Sequence, residues 1–426
     1  MYKSLKGMPD LLPGDSERWQ GMEDLLRKIL SSFGYSEIRT PYLEETELFA
    51  RSIGAATDVV EKEMFTFQDQ GGSSITLRPE NTAGVVRAYL ENNLGHGNPL
   101  TKLYYIGPMF RHERPQKGRF RQFSQMGVEA IGSAHPMVDV EVMTLLTNVG
   151  EAFGLPGLKL EINSVGDKNC RPAYRKKLKE YLVAHVADLC DNCFRRVDSN
   201  PMRVFDCKSE TCQGILTSAP KISDHLCGDC RDHFDQVKRG LDTLEVDYSL
   251  RLSMVRGLDY YTRTAFELNA QGLGSQNAVG GGGRYDGLIE ELGGPSTPGI
   301  GFAMGLERLL LSASNFKVPS SSRRFSFIPL DKDSEPIALA LSQEFRKKLL
   351  TGNRSATVET SFGTTSLKSA LRQADRSKAD FAVLIGESER MKKIATVKNL
   401  AAHSQKEIPF EQLTEHLLKE TDGSAF

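Results

Sequence analysis

Residues 107–132, GPMFRHERPQKGRFRQFSQMGVEAIG, gather the side chains best suited to chemistry. Read as two strands joined by the polar turn Pro115-Gln116-Lys117-Gly118, they alternate sides along each strand. Arg119, Arg121, Phe123, Gln125 and Glu129 then share one face, and Arg111 and Glu113 join them from the incoming strand. Phe120, Met126, Val128 and Ala130 share the opposite face, the side that packs. Arginine grips phosphate through a planar fork. A flat phenylalanine stacks on a base, and Gln and Glu read a small polar ligand. A strand half exposed to water would also alternate in this way, but it has no need of Arg, Phe, Gln and Glu together. The set suits a nucleotide and a small zwitterion.

The second concentration is of thiols. All seven cysteines lie between Cys170 and Cys230. They include Cys190-x-x-Cys193, Cys207-x4-Cys212 and Cys227-x-x-Cys230. Two C-x-x-C knuckles signal a zinc site, and a small domain with a thin core gains folding energy from one. Cys190, Cys193, Cys227 and Cys230 are the first choice for a structural zinc, with His225 and His233 as substitutes. Ordinary reduced thiols in a helical insertion are the other reading.

Composition sets the frame for both. A chain of 426 residues suits two or three domains, and its net charge of −1 confines any nucleic-acid contact to local patches. Seven cysteines in a chain this long do not suggest a disulfide scaffold. No run of 18 apolar residues predicts a membrane span. The start, MYKSLKGMPDLLPGD, carries no apolar signal core, so the expected location is the cytoplasm.

The elements that must position these side chains follow from periodicity. Residues 16–32 form a helix with Ser16 as its cap, and 37–41 form a short strand ended by Pro41. Phe65 to Phe67 and Ile75 to Leu77 pair across Gly71-Gly72. Helices are expected over 46–52, 82–92 and 137–153. The spacing is not that of a parallel doubly wound sheet, and predicts α+β: an antiparallel sheet with flanking helices. Residues 168–248, charged, helical in pattern and rich in cysteine, read as an insertion. Strand chemistry resumes at 249–268, and the run Gly280 to Gly283, taken alone, is a turn. Pro298 to Met304 is a strand leading into an apolar helix from Gly305. A linker at 319–324 separates a C-terminal α/β domain with strands at 325–329, 357–360 and 381–385 and helices at 334–350, 366–377 and 410–419. The resulting division is 1–322, interrupted by 168–248, and 323–426.

At this point the ordered motifs resemble the histidyl-tRNA synthetases of bacteria, a family of class II aminoacyl-tRNA synthetases, over nearly the whole chain. They are GMPDLLPGD, FGYSEIRTPYLEETELF, the hairpin at 104–129, RGLDYYTRTAFEL from Arg256 to Leu268, GGGGRYDGL, and GIGFAMGLERLLL from Gly299 to Leu311. The resemblance implies ATP-dependent formation of histidyl-adenylate and transfer of the histidyl group to tRNA(His). It places Arg111 on the α-phosphate and Arg256 on the reacting carboxylate and phosphate, as the catalytic pair. It assigns Glu80, Asn81, Thr82 and Gln125 to the α-ammonium side of histidine, and Glu129, Tyr260 and Tyr261 to the imidazole. Glu113, Arg119, Phe123 and Arg308 fall on ATP, with Mg2+ accompanying the triphosphate, and Gln116 falls near the acceptor end of the tRNA. It also implies a homodimer built on the first motif, and an anticodon-binding C-terminal domain with the basic residues Lys368, Arg372, Arg376 and Lys378. Read alone, Tyr260 and Tyr261 are core aromatics, and Arg78, Arg87 and Arg121 equally suit structural ion pairs. The alternatives are a regulatory paralogue of ATP phosphoribosyltransferase and a tRNA-sensing module without ligase activity. The presence of Arg111, Arg119, Arg256, Arg308 and the last domain weighs against both.

Overall fold

The structure, a computed structural model, describes residues 2–54, 57, 59–255, 258, 260–272, 277–316, 323–363 and 366–421. It divides into two compact units, 1–316 and 317–426. Unit 1 is built on an eight-stranded sheet in the order Ser36–Glu37, Thr101–Phe110, Gln122–Ile131, Gly299–Gly305, Ala278–Arg284, Thr262–Asn269, Lys159–Ser164 and Tyr248–Leu250. The six central strands pair antiparallel, and each outermost strand is parallel to its neighbour.

The helix Pro136–Ala152 lies in the main core behind this sheet, where Val142, Leu145, Leu146 and Val149 meet Met126, Val128, Phe266 and Phe302. Period-2 alternation puts Met126, Val128 and Ala130 on that side. Gln125, Gly127 and Glu129 therefore face the other way, where the site forms. The helix Asp15–Ser32 covers its part of the core with Met22, Leu26 and Leu30. Its cap is Gly14 rather than Ser16, with no side-chain cap bond.

The glycine run is not a turn. Residues 278–284 form a central strand paired on both sides, with Gly282 opposite Phe302 and Phe266. A Cβ at Gly282 would lie 1.9 Å from the Gly301 carbonyl oxygen, and one at Gly283 2.6 Å from that of Thr264. Close packing of neighbouring strands, not chain reversal, is what requires glycine here. The strand ends in Arg284, whose guanidinium is fully buried against Asp139 at 2.6 Å. His233 Nε2 and the Thr264 hydroxyl both bond to Asp139. Burial alone would raise the Asp139 carboxyl, but Arg284 and His233 hold it below its ordinary range. This satisfied buried network fixes the sheet beneath the site.

The insertion has its own core, with Tyr174, Leu178, Leu182, Val197, Val204 and Leu216 packed among cysteines. Its last helix, Gly228–Thr243, serves both cores: Cys230 belongs to the insertion, whereas Phe234, Val237 and Leu241 belong to the main core. Unit 2 is a five-stranded sheet in the order Thr357–Thr360, Arg324–Pro329, Phe381–Ile385, Ile394–Asn399 and Ser404–Pro409. The first two pairings are parallel and the last two antiparallel. Among the described residues, no helix is long and apolar enough to cross a membrane.

Candidate active site

A cavity of about 230 Å3 opens on the face of the sheet opposite the helix Pro136–Ala152. Its wall includes Glu80, Thr82, Arg111, Gln125, Glu129, Tyr260 and Tyr261, so seven of the expected residues meet in one place. Glu129 is the best-held group. One of its oxygens accepts from the Thr82 hydroxyl at 2.8 Å and the other from the Tyr285 hydroxyl at 2.5 Å. Burial nonetheless pushes its carboxyl up to about 8. Two glycines make room for the carboxyl and for the neighbouring Tyr105 ring. A Cβ on Gly301 would sit 2.1 Å from Glu129 Oε2, and one on Gly127 2.3 Å from the Tyr105 ring.

Glu80 lies just ahead of the helix Thr82–Glu91 and accepts from the backbone N–H groups of Thr82 at 2.7 Å and Ala83 at 3.0 Å. The carboxylate thus occupies the positive end of that helix, although burial raises its pKa. Gln125 Oε1 is buried and lacks a hydrogen-bond partner in the structure. A buried acceptor of this kind is costly unless a ligand supplies the donor. Tyr260 and Tyr261 stand with ring centres 4.7 Å apart, and Tyr285 meets Tyr260 edge-on at 6.0 Å.

Beside the cavity lies a cationic region. Arg111 donates through Nε to the Pro79 carbonyl at 2.8 Å, and its guanidinium lies 5.3 Å from the centre of the Phe123 ring. Arg308 donates through Nε to the Ala278 carbonyl at 2.9 Å. Its pKa is lowered by burial and then by the positive charge of Arg119. Arg119 is ion-paired to Glu113 at 3.1 Å. Arg119 and Arg308 thus bring positive charge to one region, and the Glu113 carboxylate offsets part of it.

Several expectations change. The hairpin strands end at Phe110 and resume at Gln122, so Arg111, Glu113, Arg119, Phe120 and Arg121 lie in the connecting loop, and strict alternation does not place them. The reversal itself is an isolated bridge between Gln116 and Arg119, with Gly118 at φ +72° and Gln116 exposed. Asn81 does not line the cavity. Its Oδ1 instead accepts from the Thr40 hydroxyl and the Arg78 guanidinium, an arrangement that ties the first motif to the cavity edge. Arg78 is accordingly a structural group, also bonded to the carbonyls of Pro108 and Thr40. Arg256 lies outside the described residues.

Tyr105 and Tyr285 line the cavity but were not singled out from the sequence. Strand alternation carries the signal for Tyr105, which pairs with Gly127. For Tyr285 the signal is its place directly after the glycine strand.

The cysteines expected as one ligand set fall into two groups. Cys190 and Cys193 meet Cys207 and Cys212, whereas Cys227 and Cys230 meet Cys170 and Asp167. Each knuckle turns toward a partner from a different helix, so spacing along the chain does not pair the knuckles with each other. Neither His225 nor His233 joins a group. His233 is taken by Asp139, and the His225 ring packs 5.8 Å from that of Tyr174.

Residues 7–309 match the family model of histidyl-tRNA synthetase, and residues 325–420 match that of an anticodon binding domain. The histidine–tRNA ligase of Desulforamulus reducens is 48% identical, over 96% of this chain and 97% of that one. That of Syntrophotalea carbinolica is 46% identical, over 99% of each. The apo structure of Staphylococcus aureus histidyl-tRNA synthetase is 37% identical and covers 98% of this chain and 99% of its own, with a TM-score of 0.81. An ATP phosphoribosyltransferase regulatory subunit/histidyl-tRNA synthetase from Bacillus halodurans shares the fold at 21% identity and a TM-score of 0.63. With a family match spanning most of its length and relatives nearly half identical from end to end, the chain belongs to the histidyl-tRNA synthetase family of class II aminoacyl-tRNA synthetases.

Proposed function

We propose that this chain activates L-histidine with ATP and transfers the histidyl group to tRNA(His). In the first step a histidine carboxylate oxygen attacks the α-phosphorus, and the bond to the bridging oxygen breaks to release pyrophosphate. In the second step a terminal ribose hydroxyl of the tRNA attacks the carbonyl carbon and AMP leaves. The observation that carries the reading is the cavity, where two buried carboxyls and an unpartnered amide oxygen face the space of one amino acid.

Glu80, Gln125 and Thr82 receive the α-ammonium. A neutral imidazole offers one donor and one acceptor. Glu129 takes the N–H and the Tyr260 hydroxyl donates to the other nitrogen, with Tyr261 closing the pocket. Side chains without both groups leave these buried partners unsatisfied and are rejected. Arg111 and Arg256 balance the charge that grows on the α-phosphate as the carboxylate attacks. Phe123 stacks on adenine, Glu113 contacts it, and Arg119 and Arg308 hold the outer phosphates. Mg2+ enters with ATP as part of the substrate complex.

Residues 323–426 bind the anticodon through the exposed Lys368, Arg372, Arg376 and Lys378, while Gln116 lies toward the acceptor end. Tyr42 and Leu43, exposed on the first motif, support a homodimer contact there. The enzyme works in the cytoplasm. The insertion holds structural zinc through its thiols. The regulatory and sensing alternatives are not favoured, because relatives named as ligases cover both units.

Amino-acid-dependent ATP–pyrophosphate exchange, run with each of the twenty amino acids, tests this reading. Exchange with histidine alone is expected, and a folded protein that exchanges with none would overturn it. Arg256→Ala should lower histidine-dependent exchange by about 10²–10³-fold, the scale of losing one charge-stabilising donor. Wild-type exchange in that variant would remove Arg256 from the mechanism.

A further inference from the structure

We infer that the insertion binds two zinc ions per chain, one on Cys190, Cys193, Cys207 and Cys212 and the other on Asp167, Cys170, Cys227 and Cys230. This rests on the structural-zinc reading and sharpens it, from one ion on an undefined set to two ions on defined ones. Between them the two groups use all seven cysteines of the chain and one aspartate, with four ligand atoms in each within 4.8 Å of one another.

Two buried thiols in plain contact can sit equally close, so what marks each group is the meeting of four ligand atoms at mutual distances that a tetrahedral ion fits. Zinc–sulfur bonds of about 2.3 Å at tetrahedral angles put the sulfurs about 3.8 Å apart. Cys190 Sγ and Cys207 Sγ are 3.7 Å apart, and Cys170 Sγ and Cys230 Sγ are 3.9 Å apart. In the first group, backbone N–H groups already point at sulfur: Cys190 N donates to Cys212 Sγ and Ser209 N to Cys207 Sγ, each at 3.4 Å. In the second, Asp167 N donates to Cys170 Sγ at 3.2 Å. Such donors steady thiolates and raise the affinity of a metal site. The carboxylate Oδ1 of Asp167 lies 3.6 Å from Cys170 Sγ and 3.9 Å from Cys227 Sγ, as the oxygen of an S3O set would.

The two ions have different places in the fold. The all-thiolate site joins the start of the helix Asp191–Ser199 to the helix Glu210–Thr217, within the insertion. The second joins the chain just after the strand Lys159–Ser164 to the start of the helix Gly228–Thr243, so it closes the insertion at its root. Asp167 Oδ2 also lies 3.8 Å from Arg263, two residues beyond Tyr261, so this root adjoins the cavity wall. Zinc binding accordingly supplies folding energy that the thin apolar core lacks.

The test is metal analysis of the full-length protein purified without chelator, with zinc release by a mercurial thiol reagent read on a chromogenic indicator. Two equivalents per chain are expected. One equivalent would overturn the second ion and leave a single structural zinc; none would overturn both. Cys193→Ser and Cys230→Ser should each retain one equivalent. Because either variant can fail to fold, 113Cd-exchanged wild-type protein provides an independent readout. Two cadmium resonances of distinct S4 and S3O character are expected, and a single class of site would remove Asp167 and its partners.

Discussion

Around the cavity, polar groups are fixed by one another on strands stripped of side chains, whereas the insertion is held by a thin core whose buried members include Cys170, Cys193, Cys212 and Cys230. Glu129 needs Thr82, Tyr285 and the bare backbone of Gly301, three contributions from three distant stretches of chain. The buried members of the insertion core come from one stretch, 170–230. The first arrangement spends stability on pre-formed chemistry, because a carboxyl raised by burial to about 8 is a carboxyl the empty fold would rather keep neutral. The second spends little on chemistry and lacks apolar mass instead. Substitutions in the cavity should therefore move activity far more than fold, and those in the insertion should do the reverse.

Gly301→Ala tests the cavity most severely. Its methyl would lie 2.1 Å from Glu129 Oε2 and 2.3 Å from the Val128 carbonyl oxygen, and that second contact is with backbone that cannot swing away. Histidine-dependent exchange should fall more than about 100-fold, with a stability loss of about 1–3 kcal/mol from overpacking. Exchange at the wild-type level would mean that the close approach is not needed for the site.

Glu129→Gln should separate function from stability. The carboxyl is an acid whose folded pKa is raised from 4.5 to about 8. The stability associated with its neutral form is present below 4.5 and is lost as pH rises through about 8. Glutamine does not ionise, so the variant should match the wild type near pH 4.5 and be the more stable at pH 8 to 9, by roughly a few kcal/mol of unfolding free energy at most. Above about pH 8, where the carboxyl is ionised, losing a charged acceptor for the imidazole costs about 2 kcal/mol, so kcat/KM for histidine should fall at least about tenfold. A variant that is less stable at pH 9 than the wild type would contradict the buried, raised carboxyl. The wild-type kcat/KM for histidine should rise with pH toward a limb near 8, since that ratio reports the free enzyme.

Tyr285→Phe is the milder form of the same test. It removes one donor whose bond lowers the Glu129 carboxyl, so that limb should move to higher pH. The loss of one hydrogen bond, about 1 kcal/mol, corresponds to about a fivefold fall in kcat/KM. A fall with no movement of the pH limb would mean that Tyr285 acts by packing rather than through Glu129.

Legibility differed between the regions for the same physical reason. Elements whose side chains carry the period stood out, as with the helix Asp15–Ser32, the strands Thr357–Thr360 and Phe381–Ile385, and the packed side of Met126, Val128 and Ala130. The glycine strand carries no side chains from which to read a period of two, so it resembled a turn until its neighbours were in place. Glu80, Thr82, Gln125 and Glu129 were legible through ordered motifs. Tyr285 and the grouping of cysteines depend on contacts across the fold that spacing does not contain. The helix Gly228–Thr243 passes from the insertion core into the main core, which composition cannot mark.

The smallest effect on activity is expected from Leu178→Ala. Leu178 is fully buried in the insertion core, whereas Leu241, on the shared helix, is fully buried in the main core. Each truncation removes a similar apolar volume and costs about 2–5 kcal/mol where its surroundings cannot collapse. If the two cores are separate cooperative units, Leu241→Ala should lower the main unfolding transition by several degrees. Leu178→Ala should instead raise amide exchange across 171–226 and leave histidine-dependent pyrophosphate exchange within about twofold of wild type, because local opening need not involve the whole unit. Equal losses of the main transition in both variants would merge the cores into one unit. A large fall in exchange from Leu178→Ala alone would mean that the insertion root, through Asp167 and Arg263, supports the cavity wall at Tyr261 more rigidly than its thin core suggests.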